Sequence, residues 1–236
     1  MASKRYAQAL KLVDRSKAYP LNEAVAVLKQ MPGAKFDETV ELSASLGIDP
    51  KRTDQVIRGI VVLPHGTGKT LRVLVFCKGE KELAAKQAGA DYVGTTDLIE
   101  KIQGGWMDFD VAIATPDLMR DVSRLGKTLG PRGLMPSPKA GTVTDDVATA
   151  VTQVKKGKVE FKMDKLANLH VVVGKRSFEP AQLVENATAL LAAVARAKPT
   201  AVKGQFVRRV SLSSTMSPGV MVDVQSFLEQ EEGAEG

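Results

Sequence analysis

From residue 39 the chain alternates. Val40, Leu42 and Ala44 fall on one side while Glu41, Ser43 and Ser45 fall on the other, which predicts a half-buried strand over 39–48. Val56 to Leu63 repeats the pattern and predicts a second strand. Ahead of both, Lys4 to Val13 and Leu21 to Met31 carry apolar residues at helical spacing, and Asn22, just past Pro20, is placed to cap the second helix. The string Pro64-His65-Gly66-Thr67-Gly68-Lys69 then interrupts any regular pattern.

Beyond that break the rhythm changes. Short apolar runs at 71–77, 91–93 and 109–114 alternate with helical stretches at 80–88, 96–103, 117–129 and 145–156. Strands that alternate with helices form a parallel sheet covered on both faces. Near Gly157 the first rhythm returns, with strands at 159–163, 169–173, 206–212 and 220–224, a long helix at 179–198, and a connection at 213–219. The predicted fold class is therefore α/β with two domains: a discontinuous α+β domain, residues 1–65 plus 158–228, interrupted by an inserted Rossmann-like three-layer α/β/α domain over 66–157. An inserted domain of this kind requires the two linkers to lie side by side. Residues 229–236 form an acidic tail expected to be disordered.

Charge separates the two pieces. The 236 residues carry a formal +6. Residues 66–155 hold 12 Lys and Arg against 11 Asp and Glu, which leaves 21 basic and 16 acidic residues elsewhere. Four of those acids, Glu229, Glu231, Glu232 and Glu235, sit in the tail, and without them the outer piece stands at +9. A basic field of this kind suits an anionic partner. The inserted piece gathers its own positive charge in residues 125–143, which contain four glycines, three prolines and three basic residues, and no acid or aromatic. Glycine and proline disfavour regular structure there, so the segment reads as a shaped cationic loop.

Several familiar chemistries are excluded by context. Gly66-Thr67-Gly68-Lys69-Thr70 lacks the earlier glycine of a P-loop, because Leu63 stands there, and it precedes a strand where a P-loop follows one. The first inserted strand ends Lys78-Gly79-Glu80, which is not a dinucleotide fingerprint. A nucleotide-dependent enzyme and a pure protein scaffold are the rival classes. His65 and His170 are the two histidines, and neither has the neighbours of a triad or metal pair. Cys77, the single cysteine, lies in an apolar run and is expected to be a buried thiol. No catalytic residue, metal site or cofactor is expected. No signal peptide or membrane span is expected either, which points to the cytoplasm.

Three outer segments suit RNA instead. Lys35-Phe36 enters the first strand with a cation beside an aromatic. Ser213-Ser214-Thr215-Met216-Ser217-Pro218-Gly219 sets hydroxyls and a methionine on a tight connection, and Gly174-Lys175-Arg176-Ser177 follows a strand. Hydroxyls meet ribose 2′-OH groups, apolar side chains meet sugar or base faces, and lysines meet phosphate.

These strings carry a resemblance. Phe36-Asp37-Glu38-Thr39-Val40-Glu41, Pro64-His65-Gly66-x-Gly68-Lys69, Gly104-Gly105-Trp106-Met107-Asp108-Phe109-Asp110, Leu129-Gly130-Pro131-Arg132-Gly133-Leu134-Met135-Pro136 and Ser214-Thr215-Met216 occur in this order, and over residues 4 to 224 the chain resembles the bacterial family of large-subunit ribosomal protein one, the mobile-stalk protein beside the tRNA exit site. The resemblance implies a non-enzyme in the large ribosomal subunit that binds the stalk region of the large-subunit RNA. It also implies an influence on release of deacylated tRNA from the exit site and repression of translation of its own operon mRNA. The implied partners are therefore ribosomal RNA, that mRNA and exit-site tRNA, with no membrane and a monomer when free of the ribosome. The implied RNA-contact residues are Lys35, Phe36, Thr39, Glu41, His170, Gly174, Lys175, Ser177, Ser214, Thr215 and Met216. The cationic loop itself is expected to add a secondary RNA contact at Lys127, Arg132 and Lys139. Members of that family usually have Gly after the Thr-Met pair, where this chain has Ser217.

Overall fold

The computed structural model describes residues 3–50, 52, 55–199, 202 and 204–224, and for Glu80 and Lys139 the backbone alone. The tail expected at 229–236 lies outside the described residues. In chain order the helices are α1 (Lys4–Lys11), α2 (Leu21–Gln30), α3 (Glu80–Gln87), α4 (Thr96–Gln103), α5 (Met119–Val122), α6 (Gly126–Leu129), α7 (Val147–Lys155) and α8 (Pro180–Arg196). The strands are β1 (Thr39–Leu46), β2 (Arg58–Val62), β3 (Val73–Phe76), β4 (Tyr92–Gly94), β5 (Val111–Ala114), β6 (Lys158–Lys162), β7 (Asn168–Lys175), β8 (Val207–Ser214) and β9 (Val220–Val222). The chain divides into two compact units, one from Met1–Gly68 with Val159–Gly236 and one from Lys69–Lys158.

In the first unit a four-stranded antiparallel sheet runs β7-β1-β8-β9, and β2 pairs with β6 separately. Val40, Leu42, Ala44 and Leu46 of β1 are buried, as are Val171 and Val173 of β7 and Val210 and Leu212 of β8. They meet Ala24, Val25 and Leu28 of α2 and Leu183, Ala187, Leu190 and Val194 of α8 in one core. The opposite sheet face is left to Glu41, Ser43, Ser45, His170, Arg209, Ser211 and Ser213, as period-two alternation requires. α8 begins with Pro180 at its first turn and a reciprocal Glu179–Gln182 capping box. α2 differs from the expected start. Its N-cap is Pro20, with no side-chain cap, and Asn22 lies within the first turn. The ring fixes Pro20 at φ −53°, which suits the extended N-cap backbone it adopts with ψ 147°.

The second unit holds a parallel sheet, β4-β3-β5. β3 sits in the middle and is buried at all four positions. Leu74, Phe76, Ala112 and Ala114 face one apolar cluster with α4 and the 118–129 segment, whereas Val73, Val75, Cys77 and Ile113 face another with α7. The sheet is thus covered on both faces, and Cys77 is buried.

The helix expected over 117–129 is not continuous. It breaks into a 3₁₀ turn at Pro116–Leu118, then α5, a second 3₁₀ turn at Ser123–Leu125, then α6. Leu118, Val122, Leu125 and Leu129 keep a helical burial period. The hydrogen bonding does not, because Ser123 Oγ donates back to the Met119 carbonyl at 2.5 Å and Gly126 weakens propagation. The loop that follows is closed on itself: the Ser137 amide donates to Thr142 Oγ1 at 2.8 Å, and the Thr142 amide returns to the Ser137 carbonyl at 3.2 Å. Gly133 and Gly141 supply left-handed backbone at φ 70° and 60°. Gly126–Leu129 thus ends the helical stretch, and the rest of this run, expected to be free of regular structure, contains a 3₁₀ turn at Pro138–Ala140.

Candidate nucleic-acid interface

Three segments that are remote in sequence meet at one end of the first unit's sheet. β1 pairs Thr39 with Lys175 of β7 and Val40 with Ser214 of β8, which brings the Lys35-Phe36 approach, the Gly174–Ser177 exit and the Ser214–Ser217 turn to a common edge. At that edge Lys175 Nζ donates to Thr39 Oγ1 at 2.8 Å. The Thr39 amide donates to Thr215 Oγ1 at 3.0 Å, and the Thr215 amide donates to the Thr39 carbonyl at 3.0 Å. A bulge lies between Val40 and Glu41 in the pairing with β7. Gly174 is buried beside it, and a Cβ there would stand 2.9 Å from Phe178 Cδ2 and 3.0 Å from Leu183 Cδ2. Its part is therefore to let β7 press against α8, not to present a side chain.

Phe36 is 55% exposed and Met216 49% exposed. Large apolar groups are more often interior, so neither placement follows from packing. Lys35, Glu41 and Thr215 are also exposed. Ser214 is different: it is 5% exposed and its hydroxyl donates inward to Glu38 Oε2 at 2.6 Å. Ser177 is exposed but tied to Asp37, through its amide at 3.0 Å and its hydroxyl at 2.8 Å. Ser217 closes the turn, since its Oγ accepts from the Ser214 amide at 2.9 Å and its amide donates to the Ser214 carbonyl at 3.1 Å. Ala167 is the described non-glycine residue with positive φ, so Ser217 sits in backbone that a serine adopts without strain.

His170 lies further along the open face, opposite Ser43, and its Nδ1 is 3.0 Å from Ser43 Oγ. Ser43 lies four steps along the strand from Thr39, about 13 Å. His170, Ser43, Ser211 and Met221 form one row across all four strands. A shallow groove of about 270 Å³ runs past them to Asn168 and Arg209. The far end of β7 is held by Asp164, whose Oδ1 accepts the amides of Leu166 and Asn168, both at 2.8 Å. The Asn168 amide, the Leu166 amide and nearby His170 keep that carboxyl below its ordinary range.

Beneath the exposed edge lies Glu38, which appears in the sequence motif with no role assigned. Its Oε1 accepts from the Ala34 amide at 2.6 Å and Arg176 Nη1 at 3.4 Å, and its Oε2 accepts from the Ser214 hydroxyl and, at 3.1 Å, from the Met216 amide. Arg5 Nη1 is 4.0 Å away. Burial alone would raise the carboxyl. The Ser214 hydroxyl, the Ala34 and Met216 amides and Arg176 together outweigh it and hold the group below its ordinary value. Arg176 in turn donates to the carbonyls of Lys29 and Met31, and Lys29 Nζ donates to the carbonyls of Arg176 and Phe178. Partners 138 and 176 positions away leave no local signal in a sequence.

Lys127 and Arg132 are exposed in the second unit, and Lys139 lies in the Pro138–Ala140 turn, with its side chain outside what is described. Among the described residues no group of three His, Cys, Asp or Glu could hold a metal ion, and no helix is long and apolar enough to cross a membrane.

Residues 28–218 match the ribosomal protein L1p/L10e family. The chain is also 57% identical over 227 residues to the large ribosomal subunit protein uL1 of Kosmotoga olearia, an alignment that covers 96% of this chain and 98% of that protein.

Proposed function

The chain belongs to the ribosomal protein L1p/L10e family, which comprises structural ribosomal proteins and not enzymes, and from that premise we propose that it binds the stalk region of the large-subunit RNA through the edge built on Thr39, Lys175 and Thr215. It acts in the cytoplasm as part of the large ribosomal subunit. The two compact units serve as two domains, a discontinuous RNA-binding one and an inserted one.

One observation carries this reading. Phe36 and Met216 are exposed at a hydrogen-bonded polar edge that also carries Lys35 and Lys175. Such a surface suits folded RNA: apolar side chains take a ribose or base face, hydroxyls take 2′-OH groups, and lysines take phosphate. Thr215 Oγ1 keeps acceptor capacity beyond its bond to Thr39. Glu41, a carboxylate on the open face, accepts from a 2′-OH or a base amine. His170 and the serine row extend the contact along the sheet, whereas Gly174, Ser177 and Ser214 shape the edge from behind.

The finer roles follow from the same surface. An operon mRNA that presents the fold of the ribosomal site competes for this edge, and its capture represses translation. The segment bearing Lys127, Arg132 and Lys139 makes a secondary RNA contact, and the protein influences release of deacylated tRNA from the exit site. Free of the ribosome the protein is a monomer.

The test is binding of the full chain to a stalk-derived ribosomal RNA fragment, against a DNA of the same sequence, over a salt series. The expected result is salt-sensitive binding that favours RNA. Equal affinity for the DNA, or no binding in dilute buffer, overturns the reading.

A further inference from the structure

Glu38 has no surface to offer RNA. At 1% exposed it is sealed under the edge, yet four donors from three separate segments converge on its two oxygens. The Ala34 amide comes from the approach to Phe36, the Arg176 guanidinium from the exit of β7, and the Ser214 hydroxyl and Met216 amide from the turn that carries Met216. Its own carbonyl accepts from the Arg176 amide at 2.8 Å. Each of these four hydrogen bonds is donated to the carboxylate, so the pocket is shaped for two acceptor oxygens. A buried carboxylate is costly unless it is saturated in this way.

We propose that Glu38 is the positioning residue of the RNA-binding edge, a buried carboxylate that fixes Phe36 and Met216 relative to one another without touching RNA itself. The proposal rests on the RNA-binding reading above. Phe36 is two residues before Glu38, ahead of the start of β1 at Thr39, with Asp37 between them tied to Ser177. Met216 is fastened to Glu38 by its own amide, and its neighbour Ser214 by its hydroxyl. The two exposed apolar groups thus share one anchor.

Glu38→Gln distinguishes positioning from charge. Gln keeps the shape but turns one acceptor into an NH₂ group, and in either orientation that group faces a backbone N–H. The substitution also removes a negative charge, so a purely electrostatic role would strengthen binding to a polyanion. Positioning requires the opposite sign. Fluorescence titration of the full chain with the stalk-derived RNA fragment should show affinity at least tenfold weaker for Glu38→Gln, with the salt slope unchanged because no phosphate contact is lost. Glu23→Gln, on the exposed side of α2, makes the same charge change and should bind as well as the parent or slightly better. Phe36→Ala should lose much less in the Glu38→Gln background than in the parent, because the two sites are coupled.

Binding by Glu38→Gln within twofold of the parent overturns the proposal, and so does an undiminished Phe36→Ala effect in that background. If Glu38→Gln does not fold, Ser214→Ala and Arg176→Lys, which each remove one partner of the carboxylate, should weaken binding in the same direction by a smaller factor. No loss in either refutes it. Should Phe36→Ala have no effect in the parent, the RNA-binding edge itself is misassigned. A loss for Phe36→Ala without one for Glu38→Gln refutes the positioning role alone.

Discussion

Thr215 and Thr39, 176 positions apart, are joined three ways: the Thr39 amide donates to Thr215 Oγ1 at 3.0 Å, the Thr215 amide donates to the Thr39 carbonyl at 3.0 Å, and Thr215 Oγ1 lies 3.3 Å from that carbonyl. The hydroxyl therefore has a framework role as well as a place at the surface. Thr215→Ala should cost about 0.5–1.5 kcal/mol of folding stability, the net worth of an exposed hydrogen bond. It should also weaken RNA binding by roughly 1–3 kcal/mol, the scale of leaving a partner's hydrogen-bonding group unsatisfied. Urea denaturation and filter binding measure the two separately. Unchanged RNA affinity would remove Thr215 from the interface.

Phe36 and Met216 divide the two effects differently. Both are about half exposed, so truncation to Ala should leave stability within about 0.5 kcal/mol of the parent. RNA affinity should still fall by roughly 1–3 kcal/mol for each. A matched thermal melt with a binding titration tests this, and a Phe36→Ala protein that melts early but binds normally would return the side chain to a packing role.

How far these features can be read in the chain depends on the range of the interactions that build them. The local period of one face marks β1 and α8, whereas β3, buried at all four positions, is marked by an unbroken apolar run. At 117–129 the burial period is helical, but spacing does not show the breaks that Ser123 and Gly126 make in the hydrogen bonding. Asn22 looked like a cap, yet the geometry Pro20 imposes starts the turn two residues earlier. Lys35, Phe36, Thr215 and Met216 could be picked out by type. Glu38 could not be assigned a task, because its partners come from residues 34, 176, 214 and 216 and only the folded sheet brings them together.

Asp110 gives a pH prediction for the second unit. The Lys69 ammonium at 2.7 Å lowers its pKa most, burial opposes, and the Arg72 amide at 3.1 Å and guanidinium at 3.2 Å lower it further, to about 2. A carboxyl depressed on folding adds stability above its unfolded value, near 3.8, and loses it as pH falls toward the folded value. Asp110→Asn should therefore cost about 1 kcal/mol at pH 7, after allowance for screening of its exposed partners. The gap from the parent should narrow between pH 4 and pH 2. Denaturant melts at pH 7 and pH 3 provide the check, and a gap that widens in acid would contradict the assignment.

Lys35 and Lys175 should be separable by salt. Lys35 is exposed, whereas Lys175 is half-buried and already donates to Thr39. If Lys35 meets a phosphate, Lys35→Ala should flatten the slope of log affinity against log salt by about 1 and weaken binding similarly across RNA sequences. Lys175→Ala should change the slope too, but should also loosen Thr39, so its loss should persist at high salt. Two identical salt profiles would rule out that division of labour.

Asn186 sets how the chain leaves the first unit. It is fully buried on α8, where its side-chain oxygen accepts the His65 amide at 3.0 Å and its Nδ2 donates to the carbonyls of Gly66 at 2.9 Å and Val173 at 2.8 Å. One amide thus saturates three backbone groups in the break after β2 and in β7. Asn186→Ala leaves them without partners and opens a small cavity, so it should destabilise by about 2–3 kcal/mol. Asn186→Asp should be at least as damaging, because a carboxylate presents an acceptor where two carbonyls require a donor. Native-state hydrogen exchange locates the effect. The His65 amide should lose protection in both variants more than amides in the centre of β1. Uniform loss across the sheet would mean that Asn186 supports the core at large and does not fasten this connection.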